Sequence, residues 1–93
     1  MANKRSIKKD IRYMTELLIR DALYVSEIKA KKKDKTDGII LEALYMHNEL
    51  IARVNHPDGK DNPILVKKHY KKITEDLLQR TDELFNKLYQ LVE

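Results

Sequence analysis

The chain contains no cysteine and no tryptophan, and its 93 residues include only two glycines, two prolines and one phenylalanine. Each scarcity excludes something. Without cysteine there is no disulfide framework and no thiolate metal site. So few glycines and prolines leave little material for hairpins, so strands are not expected. Gly-rich phosphate loops and the Ser or Cys motifs of covalent catalysis are absent. Apolar runs such as Ile39-Ile40-Leu41 are short, none longer than four residues, whereas a membrane-spanning helix needs about 20. The opening "MANKRSIKKD" is basic but has no apolar stretch behind it, unlike a secretory leader. The expectation is a cytoplasmic protein that is not an enzyme and uses no cofactor.

What is present is 42% apolar residues and 37% charged ones, enough for one small domain over residues 1–93. Ile7, Ile11, Met14, Leu18, Val25 and Ile28 recur at helical spacing behind Ser6, a candidate N-cap. A second stripe, Ile40, Leu44, His47, Ile51 and Val54, follows the N-cap candidates Thr36 and Asp37. The third, Val66, Tyr70, Ile73, Leu77, Leu84, Leu88 and Leu91, follows Asn62-Pro63, an N-cap with proline at the first helical position. These patterns predict helices over about 6–33, 38–54 and 63–92. The fold class is all-α, an antiparallel up-down-up three-helix bundle with two long outer helices, with a four-helix assembly or dimeric bundle as variants.

Between the second and third helices lies "VNHPDGKDNP". His56, Pro57 and Asp58 sit between two helical patterns, and Tyr70, Lys71 and Ile73 follow at the spacing of an aromatic-Lys-x-Ile motif. With Ile51-Ala52 ahead of the loop, residues 50–77 resemble J-domain co-chaperones, and the resemblance implies stimulation of a chaperone ATPase. The chain departs from that family in carrying only Arg53 as a cation over residues 38–55 and Asp76-Leu77 where the family has Ala-Tyr. Local chemistry also accounts for the loop: Pro57 stops one helix, Pro-Asp-Gly turns the chain and Asn62-Pro63 starts the next helix.

Folding the stripes antiparallel places Asp21, Tyr24, His47 and Tyr70, with His69 beside it, near one level. The expectation is a hydrogen-bonded polar layer that fixes helix register. No Glu has a His three residues later, as a di-iron bundle requires, and no metal site is expected.

The predicted lengths are unequal, roughly 42, 25 and 45 Å at about 1.5 Å per residue. A short middle helix leaves two apolar overhangs, Ile7, Ile11 and Met14 at one end and Leu84, Phe85, Leu88, Tyr89 and Leu91 at the other. The expected function is therefore a non-catalytic interaction protein, a homodimer or the partner of another helical protein, joined through these overhangs. Their charges, +3 over residues 1–16 and −3 over 74–93, are complementary. The alternative is an accessory protein binding nucleic acid through Lys29, Lys31, Lys32, Lys33 and Lys35 or through Lys67, Lys68, Lys71 and Lys72. Co-chaperone activity through the His56-Pro57-Asp58 loop is the third reading.

Overall fold

The computed structural model describes residues 3–93 except Asp58 and Lys60. Three helices form, α1 (Lys4–Ile28), α2 (Lys33–Asn55) and α3 (Pro63–Gln90), with a single 3-10 turn over Ala30–Lys32 between the first two. No strand occurs among the described residues, so the all-α three-helix bundle stands.

Local chemistry sets the boundaries, and two of them differ from the expected ones. Asn3, not Ser6, caps α1: its side chain accepts from the Ser6 backbone N–H at 2.9 Å, and Ser6 Oγ accepts from the Asn3 N–H at 3.2 Å. Helix α1 is continuous but stops at Ile28, and α2 begins five residues ahead of the expected start. Within "KAKKKDKTDG" the chain reverses over residues 29–32, while from Lys33 onward the missing apolar periodicity reflects exposed helix rather than loop, because Lys is a good helix former. Thr36 and Asp37 are consequently not caps. Thr36 is buried inside α2, its hydroxyl donating to the Lys33 carbonyl at 2.9 Å, and Asp37 pairs with Lys33 at 3.0 Å. At α3 the expectation holds: Asn62 Oδ1 accepts from the Ile64 and Leu65 N–H groups ahead of a helix opened by Pro63.

Each helix contributes one buried stripe to a single core. From α1 come Ile7, Ile11, Leu18, Ala22 and Val25, from α2 Ile39, Ala43, Met46, Leu50 and Val54, and from α3 Ile73, Leu77, Leu84 and Leu88. Threonines fill the gaps in this pattern. Thr15, Thr36 and Thr81 are buried, and each satisfies its hydroxyl locally or on a soft neighbour, Thr15 on the Ile11 carbonyl and Thr81 on Met46 Sδ. The α2 stripe is rotated from the expected one: Leu44 is exposed and His47 half-buried. Two apolar diagonals run side by side on α2, and packing against both neighbours selects the one through Ile39, Met46 and Leu50.

Polar pairs fix the register of α3 on α2. Arg53 bridges Asp76 at 2.8 Å, Glu49 bridges Arg80, Glu42 bridges Lys87 at 3.2 Å, and Thr81 meets Met46. This register sets the end of α2 near residue 73 of α3. About ten residues at the start of α3, roughly 15 Å of helix, therefore extend past α2. At the far end Lys32 Nζ donates to the Leu91 carbonyl at 2.9 Å. The result is a rod of 51 × 18 × 16 Å.

Candidate functional site: the basic end of the bundle

Helices α1 and α3 both run antiparallel to α2, so they are parallel to each other and begin at the same end of the rod. That topology joins two basic segments far apart in sequence. On α1, Arg5, Lys8, Lys9 and Arg12 follow the i, i+3, i+4, i+7 spacing of one helix face and wall a shallow recess. On α3, Lys67, Lys68, Lys71 and Lys72 are exposed on the projecting turns, next to exposed Ile64 and Leu65. None of these eight cations, nor Lys4, forms an ion pair among the described residues.

The wider charge balance is equally uneven. Residues 4–12, 50–57 and 61–79, which build this end, hold ten Lys and Arg against four Asp and Glu. Residues 13–49 and 80–93 hold eight against ten. Both helix N-termini at this end carry no acidic residue in the first turn, so the positive ends of their dipoles add to the side-chain field. His69 Nε2–H donates to the Arg53 carbonyl at 2.7 Å, which ties the projecting segment to the C-terminus of α2. Tyr70 is turned half into the core, so this end offers charge rather than a platform of stacking rings.

The expected apolar overhangs do not form. With α2 spanning 23 residues rather than about 17, Ile7, Ile11, Leu84 and Leu88 are buried within one chain, and Met14, Phe85 and Leu91 are half-buried against the same core. Of that set only Tyr89 is exposed, at 55%, its ring stacked 5.7 Å from Phe85. The two segments of opposite charge also lie at opposite ends of the rod, because the basic start of α1 meets the basic start of α3.

The expected polar layer is absent as well. Tyr24 is 63% exposed, Asp21 lies 3.9 Å from Arg20 on the surface, and His47 Nδ1 is satisfied 3.0 Å from its neighbour Asn48. Tyr70 sits near the His69 ring, at 6.0 Å between centroids, and none of the four hydrogen-bonds another. A common level for these residues requires α3 to start beside the end of α2, and the projection of α3 displaces that level by about ten residues. Threonine, which bonds its own helix backbone, supplies the buried polar groups instead. A Thr at i+4 from one core residue and i+3 from the next was the available sign.

In the loop, His56 is exposed and its backbone N–H closes α2 on the Ala52 and Arg53 carbonyls. Asp58 lies outside the described residues. Arg53, the cation nearest the loop on α2, is held by Asp76. The lysine run 29–35 spans the tight turn and the start of α2, at the end of the rod away from Lys67–Lys72, so the two lysine groups are separate surfaces. Among the described residues no three His, Asp or Glu side chains converge as a metal site, and no helix is long and apolar enough to cross a membrane. Comparison with protein-family models, with curated proteins and with solved structures finds no match to this chain.

Proposed function

We propose that this protein is a non-catalytic helical binding protein that holds a nucleic acid, as a phosphate polymer, at its basic end. The observation that carries the reading is the convergence of two unpaired cationic segments on the parallel helices α1 and α3. Lys4 and Arg5 in the first turn of α1 oppose the helix dipole and weaken the fold slightly. Eight cations at the starts of both helices, none of them in an ion pair among the described residues, are what a phosphate-binding surface needs and a merely solvated face does not. Binding would release counterions, so affinity falls steeply with salt, and with no exposed stacking platform at this end sequence preference is weak.

The test is titration of fluorescently labelled single-stranded and duplex oligonucleotides at several salt concentrations. The expected result is a linear fall of log affinity with log salt. Replacing Lys67 and Lys68 by alanine lowers the slope by about one for each phosphate that is no longer neutralised. An absence of binding at low salt, or binding that ignores these lysines and Arg5, Lys8, Lys9 and Arg12, overturns the reading.

Self-association is a second reading, on a different surface from the overhangs. One observation favours it: Tyr24, Ile28, Tyr89 and Val92 remain exposed around one apolar recess between the C-terminal parts of α1 and α3.

A further inference from the structure

Helix α1 carries two apolar seams. The first is the core stripe already described. The second runs through Tyr13, Leu17, Tyr24 and Ile28 on a different side of the helix. Tyr13, Tyr24 and Ile28 are exposed, and Leu17 is half-buried. At its upper end the seam meets α3 at a mainly apolar recess of about 250 Å³, lined by Tyr24, Ile28, Leu88, Tyr89 and Val92 with Val25 and the carboxylate-bearing Asp21. A volume below roughly 300 Å³ is small for a ligand pocket but suited to one large side chain.

The spacing of this seam is palindromic. From Tyr13 the steps are four to Leu17, three to Arg20, one to Asp21, three to Tyr24 and four to Ile28. When two such helices pack antiparallel about a two-fold axis between Arg20 and Asp21, every position falls level with a complementary one. Tyr13 lies level with Ile28 of the second copy, Leu17 with Tyr24, and Arg20 with Asp21. Two arginines and two aspartates then form a neutral quartet around the axis. Within one chain Arg20 and Asp21 meet only at 3.9 Å.

We infer, resting on the self-association reading, that a second copy of this chain covers the seam. The two α1 helices pack antiparallel about an axis at Arg20–Asp21, and Tyr13 of each copy enters the recess of the other. Isologous packing of this kind lets one patch bury itself twice. The seam lies outside the strongly basic end, in the part of the rod where acids outnumber cations by two, so two copies meet there without the repulsion their basic ends would cause. At about 100° per residue Arg5, Lys8 and Arg12 point to another side of α1 and stay free for phosphate, while Lys9, one turn before Tyr13, borders the seam.

Because the chain has no native cysteine, single-cysteine variants test the register directly. Light scattering of the unmodified protein should give twice the 11.0 kDa chain mass. Arg20→Cys, beside the proposed axis, should oxidise to a covalent dimer, whereas Tyr45→Cys, exposed on α2, should not. Tyr13→Glu and Tyr24→Glu should give monomers with unchanged helicity, since both side chains are already exposed. A monomer for the unmodified protein at high concentration overturns self-association itself. A dimer that survives both glutamate substitutions, or that cross-links in the Tyr45→Cys variant and not in the Arg20→Cys variant, overturns this interface while leaving self-association standing. Neither outcome touches oligonucleotide binding, which the lysine variants read separately.

Discussion

At Gly59 the backbone φ is +66°, and a β-carbon placed there would lie 2.6 Å from Leu65 Cβ. The loop therefore requires glycine twice over, once for the left-handed conformation and once for the close approach of the first turn of α3. Gly38 stands under no such demand: it lies inside α2, with nothing within 4 Å of where its β-carbon would be. The two positions respond with opposite signs. Gly59→Ala should destabilise the fold by about 1–3 kcal/mol. Gly38→Ala should stabilise it by about 0.5–1 kcal/mol, through helix propensity and a less flexible unfolded chain. Denaturant melts of the two variants against the parent check both signs at once.

At the scale of the element, α2 poses the sharpest question, because two of its diagonals are apolar. The buried diagonal through Met46 and Leu50 carries the packing, while the neighbouring diagonal through Leu44 stays at the surface. Leu50→Ala should cost about 2–5 kcal/mol, since a fully buried side chain leaves both its transfer free energy and a cavity behind. Leu44→Ala should change stability by less than about 1 kcal/mol, as an exposed side chain leaves no cavity. Equal losses at the two positions would show that α2 packs in the other phase. Sequence periodicity pointed to the diagonal through Ile40 and Leu44, the wrong one, because both diagonals satisfy the helical repeat and only the neighbours decide which one is covered. The stripe of α3 was legible in the sequence: Ile73, Leu77, Leu84 and Leu88 are all core, and Thr81 completes the series.

For the whole molecule, the charge pattern separates two demands that usually agree. Lys4 and Arg5 occupy the first turn of α1, where the helix dipole disfavours cations. Lys4→Glu with Arg5→Glu should therefore raise stability by roughly 0.5–2 kcal/mol at low salt, taking about 0.3–1 kcal/mol per charge. The same double variant should weaken oligonucleotide binding several-fold. Thermal melts and titrations on one sample check the pair of outcomes. A loss of stability together with a loss of binding would mean that these cations serve the fold, and would count against the basic end as a binding surface.

Some features belong to the sequence alone. The helical class, the Asn62-Pro63 start of α3 and most of the α1 and α3 stripes follow from local periodicity and capping, which act within a few residues and need no partner. The ends of α1 and α2, the phase of α2 and the candidate sites were decided in the tertiary structure. A lysine-rich segment with good helix propensity has no internal signal for where the chain must reverse. The projection of α3 comes from its register on α2, held by Arg53–Asp76, Glu49–Arg80 and Glu42–Lys87, pairs separated by 23 to 45 residues. That register buries the expected overhangs, dissolves the expected polar layer and leaves the start of α3 exposed. The basic end exists because two parallel helices begin together, and no local pattern encodes the distance between segments that only folding brings to one place.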